Sequence, residues 1–212
     1  KCLGIRDNWV PSILAEPVAE SATGEIQVQH LRTASWENCV GAAHLFLPRA
    51  PTTAKRPLAI LCCGHAKGGK QGMGYQGMAW RLAHMGCAVL VPDNIGQGER
   101  TPMGHRDVLM PFACGISLQG LIVMETAGWI AWAMTDGRFD TTRIAAIGNS
   151  GGGTLTLFLG SLFGEDLCAL SSSGYPCSFD FIALKEKKHC HCNILPGIVG
   201  HLDMWQLYGC FA

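Results

Sequence analysis

Four short apolar runs and the amphipathic stretches between them set the pattern of this chain. Leu58–Cys63 is continuously apolar, as expected of a parallel strand covered on both faces. Ala88–Val91 and Arg143–Ile147 repeat that character, and Leu167–Leu170 begins a further strand. Between them, Tyr75–His84 has the spacing of an amphipathic helix closed by Gly86. Leu118–Met134 predicts a long helix with Gly128 inside it, and Thr154–Phe163 an apolar one. Nearer the start, Glu25–Arg32 alternates polar and apolar residues and predicts an edge strand, with Cys39–Leu47 as its antiparallel partner. Residues 1–24, with Pro11 and Pro17, predict an irregular segment. Pro48–Arg56 is a turn-rich connection and Asn94–Pro111 a polar loop. The alternation of strands and helices predicts an α/β fold: one domain over 1–212 with a mostly parallel, doubly wound sheet and an antiparallel N-terminal edge.

Composition narrows the function classes. The 212 residues are 48% hydrophobic and 15% charged, which suits a well-buried sheet rather than a disordered chain. A formal net charge of zero offers no electrostatic footprint for nucleic acid or an acidic membrane. The longest apolar stretch, Ile144–Phe163, is broken by Asn149, Ser150 and glycines and makes a poor membrane span. The eleven cysteines are odd in number, and several fall in apolar runs, where thiols pack as small hydrophobes. A reduced, cytoplasmic setting is the expectation from them. Because the chain starts at Lys1, removal of a leader from a secreted or periplasmic protein is the alternative.

The chemistry concentrates at Gly148-Asn149-Ser150-Gly151-Gly152, a Gly-x-Ser-x-Gly segment between a buried strand and an apolar helix. That is the pattern of a nucleophile elbow. A sharp turn lifts the Ser150 hydroxyl above the sheet, and small neighbours at Gly148 and Gly152 avoid clashes. Such a serine needs an oxyanion hole, here drawn from the Gly151 amide and an amide near His65 in the glycine-rich loop Gly64–Gly74. The same loop, Gly64-His65-Ala66-Lys67-Gly68-Gly69-Lys70, also fits G-x-x-x-x-G-K. Gln71 stands where a nucleotide-binding loop needs a hydroxyl for magnesium, which argues against that reading. Asp93 and Arg100 are placed at the rim of the site, with a structural ion pair as the blander role. His189-Cys190-His191-Cys192 invites a metal reading. Adjacent residues rarely supply several ligands to one tetrahedral ion, so packing is the default and no metal or organic cofactor is expected.

Together these segments resemble an α/β-hydrolase of the acetylxylan-esterase-like group. The resemblance rests on Leu61-Cys62-Cys63-Gly64-His65, on Val91-Pro92-Asp93 through Gly98-Glu99-Arg100, and on the elbow. Ser172–Tyr175, Cys190–Gly197 and Leu202-Asp203-Met204 extend it. Cys63 stands where many such proteins carry the histidine of a His-Gly pair, but the loop's role there uses backbone amides.

The resemblance implies a serine carboxylesterase acting on small acyl esters or acetylated carbohydrate through an acyl-enzyme on Ser150. It places Ser150 as nucleophile with Gly151 and His65 at the oxyanion; the local sequence, rather than the resemblance, suggests Asn149, Asp93 and Arg100 for the rim. It also implies that the acid and histidine of the triad follow later strands, in the order Ser, Asp or Glu, His. On that basis the chain is expected to be C-terminally incomplete, its last strands missing. A second chain or a homo-oligomer would then complete the sheet. The alternatives are a site rebuilt locally, with Asp180 and His201 as acid and base, or with His189, His191 and Asp203. A catalytically incomplete domain with a binding or assembly role is the other function class.

Overall fold

A computed structural model describes residues 2–105, 109–185 and 189–211. Its centre is a seven-stranded sheet: β1 (Glu16–Thr23), β2 (Ile26–Trp36), β3 (Cys39–Pro48), β4 (Arg56–Cys62), β5 (Ala88–Pro92), β6 (Phe139–Asn149) and β7 (Ala169–Ser173). They lie in the order β1-β2-β3-β5-β4-β6-β7. The pairings of β1 with β2, β2 with β3 and β3 with β5 are antiparallel. Those of β4 with β5, β4 with β6 and β6 with β7 are parallel. The helices are α1 (Met73–His84), α2 (Leu109–Ala113), α3 (Leu118–Thr135), α4 (Gly151–Phe163) and α5 (Met204–Gly209).

Period-two alternation in the central strands divides the core between two faces. Leu45, Ile60 and Leu90 point into the larger cluster with Trp129 and Ile130 of α3 and Leu155 and Leu159 of α4. Their neighbours Phe46, Ala59, Leu61, Val89 and Val91 point the other way, onto Ala79 and Ala83 of α1. The sheet is therefore covered on both faces, as the uninterrupted apolar strands require. Apolar and buried nearly all round, α3 starts at the N-cap Ser117, whose Oγ accepts from the Gly120 amide at 3.0 Å.

The N-terminal segment departs from the sequence reading. Residues 16–23, expected to be irregular, form β1 on the sheet edge. All eight residues are exposed, so no hydrophobic alternation marked the strand. Pro17 is tolerated because it sits at an edge and next to a register shift between Pro17 and Ala19. The polar loop after β5 contains a 3-10 helix, Gly98–Met103, and runs into α2; Arg106, Asp107 and Val108 lie outside the described residues. Among the described residues no helix is long and apolar enough to cross a membrane.

Candidate active site

The turn between β6 and α4 is an elbow. Ser150, at its apex, has φ 55° and ψ −123°, and only Asn38 is a second non-glycine residue with positive φ among the described residues. Its amide donates to the Ser173 carbonyl at 2.8 Å, which ties the apex to the end of β7. The strand and helix approach so closely that side chains are excluded on both sides. A Cβ at Gly148 would overlap the Gly152 carbonyl, and one at Gly152 would overlap the Cys62 carbonyl on β4. This is the steric reason for the glycines of Gly-x-Ser-x-Gly.

Gly151 is the first residue of α4, so its amide has no partner within the helix. The loop after β4 passes beside it: a Cβ on Gly151 would stand 2.7 Å from Cε1 and Nδ1 of His65. That loop is held from both flanks. The Gly64 amide donates to the Tyr75 hydroxyl, and Asn94 Nδ2 donates to the Cys63 carbonyl at 2.7 Å. The two expected oxyanion residues, His65 and Gly151, are thus neighbours.

Ser150, Gly151 and His65 line one pocket of about 770 Å³. Its walls also carry Lys67, Gln97, Thr101 and Asn193, together with Tyr175 and the imidazoles of His105, His189 and His191. The Ser150 hydroxyl has no hydrogen-bond partner among the described residues. Asp180 and His201 do not line the pocket; both are exposed elsewhere. Asn149 also lies outside it, its Oδ1 accepting from Ser173 Oγ at 3.0 Å.

Asp93 and Arg100 sit beneath the pocket loop in buried ion networks rather than on the pocket wall. Asp93 accepts from the Lys70 ammonium at 2.6 Å and from the Lys70 amide at 2.6 Å. Lys70 also pairs with Glu99, which is bridged to Arg32 at 3.0 Å. Burial pulls the Glu99 carboxyl upward, but hydrogen bonds from Lys70 and Arg32 outweigh it and hold the group at about 2. Arg100 donates to Glu125 on α3 and to the Asp93 carbonyl, and Glu125 accepts from Ser35 on β2. Lys70 therefore belongs to the loop's foundation, not to a phosphate cradle. Nor does α1 begin where phosphates would need it, since a 3-10 helix, Gly69–Gln71, intervenes.

Two features went unrecognised in the sequence. Glu125, within an apolar helix, is the buried partner of Arg100. Cys190 and Cys192 meet His65 and His105 across the pocket floor. The donor atoms of these four residues all lie within 4.8 Å of one another. His65 Nε2 is 3.0 Å from Cys192 Sγ, and the two sulfurs are 3.2 Å apart. The Cys192 thiol donates to the Cys190 sulfur and, with the two imidazoles beside it, pushes the Cys190 thiol well down. Only the Cys-x-Cys pair was visible as a local signal; both histidines are distant in sequence.

No protein-family model matches the sequence, and a search of the curated proteins finds no match. Solved structures do resemble it. A glucuronoyl esterase from Teredinibacter turnerae superposes with a TM-score of 0.67 at 15% identity, over 99% of this chain and 61% of that one. Acetyl xylan esterase 1 from Thermoanaerobacterium gives 0.55 at 20% identity, over 74% and 50%. The acetyl xylan esterase from Paenibacillus gives 0.54 at 18%, over 72% and 50%. The chain thus spans half to three-fifths of the length of these structures.

Proposed function

The chain has the α/β-hydrolase fold, and on that fold we propose that it carries the nucleophile and oxyanion donors of a serine carboxylesterase. The observation that carries this reading is the Ser150 backbone, held at φ 55° and ψ −123° at the mouth of a pocket. A non-glycine residue in that region is costly, of order 1–3 kcal/mol, and such strain persists where a side chain must be presented. Ser150 Oγ attacks the ester carbonyl. The Gly151 and His65 amides stabilise the developing oxyanion, a contribution of about 10²–10³ in rate per donor. A histidine accepts the serine proton and returns it to the leaving alcohol, a carboxylate orients that imidazole, and water releases the acyl group. His189 and His191, which line the same pocket, are the imidazoles assigned to the proton transfer in the described chain.

The substrate class is a small acyl ester, with an acetylated carbohydrate favoured. Lys67, Gln97, Thr101 and Asn193 line the pocket with groups suited to hydroxyls. The two acetyl xylan esterases named above are consistent with that preference. The decisive experiment is hydrolysis of p-nitrophenyl acetate by this chain beside its Ser150→Ala variant. Turnover lost in the variant supports the assignment; absence of Ser150-dependent turnover sinks it for this polypeptide.

A second reading has its own support. The Ser150 hydroxyl has no imidazole bonded to it among the described residues, and β7 is an edge strand with an exposed, alternating pattern. A hydrolase-like domain that binds or assembles through that edge would show no Ser150-dependent turnover but would associate in solution, which light scattering detects.

A further inference from the structure

We propose that His65, His105, Cys190 and Cys192 form a tetrahedral site for a divalent metal of the zinc class. The four donors come from three separate segments: the loop after β4, the loop after the 3-10 helix Gly98–Met103, and residues 190–192. Two imidazole nitrogens and two sulfurs are the donor set that zinc takes in structural sites. With metal–ligand bonds of about 2.0–2.3 Å, the donors of a tetrahedral ion stand about 3.3–3.8 Å from one another. The observed separations bracket that span: 3.0 Å for His65 to Cys192, 3.2 Å between the sulfurs, and all pairs within 4.8 Å. Small movements therefore suffice to admit an ion.

The surroundings prepare the ligands. His105 Nδ1 donates to the Ile95 carbonyl at 2.7 Å, so Nε2 is the unprotonated nitrogen, with the Gln97 amide nitrogen 3.4 Å from it. A backbone carbonyl behind a histidine is the usual outer support of a metal ligand. Cys192 is buried, and neither it nor Cys190 is in a disulfide. A sulfur pair 3.2 Å apart is well beyond the ~2.05 Å of a disulfide bond. The other such cluster among the described residues, His30, His44 and Glu99, is already occupied by Lys70 and Arg32 on its carboxylate.

Four protein ligands leave no open position, so the ion is structural rather than hydrolytic. It pins three loops across the floor of the Ser150 pocket and fixes the His65 ring beside Gly151. The site stands whether or not the chain is an esterase.

The test is cobalt(II) titration of the reduced chain, followed by zinc sulfate. One equivalent of cobalt is expected to give thiolate-to-metal charge transfer and the intense visible bands of a tetrahedral ion, both bleached by zinc. The double variant Cys190→Ser/Cys192→Ser loses the charge transfer, and His105→Gln weakens binding at least about tenfold. Cys114→Ser/Cys177→Ser, at two exposed cysteines, leaves the spectrum unchanged. No charge transfer in the reduced wild-type chain, or a band that survives removal of both Cys190 and Cys192, overturns the proposal. Should the variants not fold, X-ray absorption of the zinc-loaded wild type decides: two sulfurs and two nitrogens uphold the site, and any other shell refutes it.

Discussion

The Lys70 ammonium and the Asp93 carboxylate meet at 2.6 Å with neither side chain reaching solvent. Asp93 also accepts from the backbone amides of Lys70 and Glu99, so its charge is satisfied from several directions. Such pairs are costly to break rather than strongly stabilising to have, because removing one partner strands a buried charge. Lys70→Met is accordingly expected to lower stability by about 3–5 kcal/mol, a large share of the 5–15 kcal/mol typical of a domain. Lys70→Met/Asp93→Leu should recover part of that loss. Urea denaturation of the single and double variants measures both. An additive double variant would mean that the pair is not the coupling unit.

This pair also shows where sequence reasoning stops. The buried strands and the helices α1 and α3 were legible because burial on both faces, or on one stripe, writes itself into local periodicity. The elbow was legible because its sterics demand glycine at 148 and 152. Edge strand β1 was not, since it buries nothing. Lys70 sat in a glycine-rich run that matches a phosphate loop, and only the fold reveals Asp93 beside it. His65 and Cys192 are 127 positions apart, and no local pattern marks their contact.

Backbone strain at Ser150 makes a prediction that opposes stability to chemistry. Glycine adopts φ 55° and ψ −123° without the side-chain penalty. Ser150→Gly should therefore stabilise the chain by about 1–2 kcal/mol, after allowing for glycine's greater freedom when unfolded. Ser150→Ala keeps the Cβ and should gain little. Thermal midpoints of the two variants separate them. Equal stability would remove strain as the reason for the conformation.

The pH dependence should carry the signature of His44. Burial lowers its imidazole from 6.5 to about 4, aided by the nearby charge of Lys70 and by His30, against the opposing pull of Asp93 and Glu99. Its Nδ1 accepts from Gln76 Nε2 at 3.2 Å, which also favours the neutral ring. The unfolded chain then binds the proton more readily than the folded one. Stability must fall as pH drops from about 6.5 to about 4. Glu99 acts in the adjacent window: held at about 2, its contribution is lost only as pH falls below about 4.5. Urea midpoints across this range should flatten in the upper window for His44→Gln and in the lower one for Glu99→Gln. Unchanged slopes would show that other groups govern acid sensitivity.

Gly151→Ala probes the contact on which the oxyanion reading depends. The added methyl would stand 2.7 Å from the His65 ring, closer than real carbons pack, so ring or loop must move. Unlike the glycines at 148 and 152, Gly151 meets a side chain rather than backbone first, so the fold should survive. Two amides that stabilise one oxygen must hold their mutual position, and losing one donor typically costs about 10²–10³ in rate. Ser150-dependent hydrolysis of p-nitrophenyl acetate should fall by that order while the circular dichroism spectrum is unchanged. If His65 is also a metal ligand, the same methyl should weaken cobalt binding. Full activity in a folded Gly151→Ala chain would mean that the His65 loop does not supply the second donor, and the oxyanion hole would have to be sought elsewhere around Ser150.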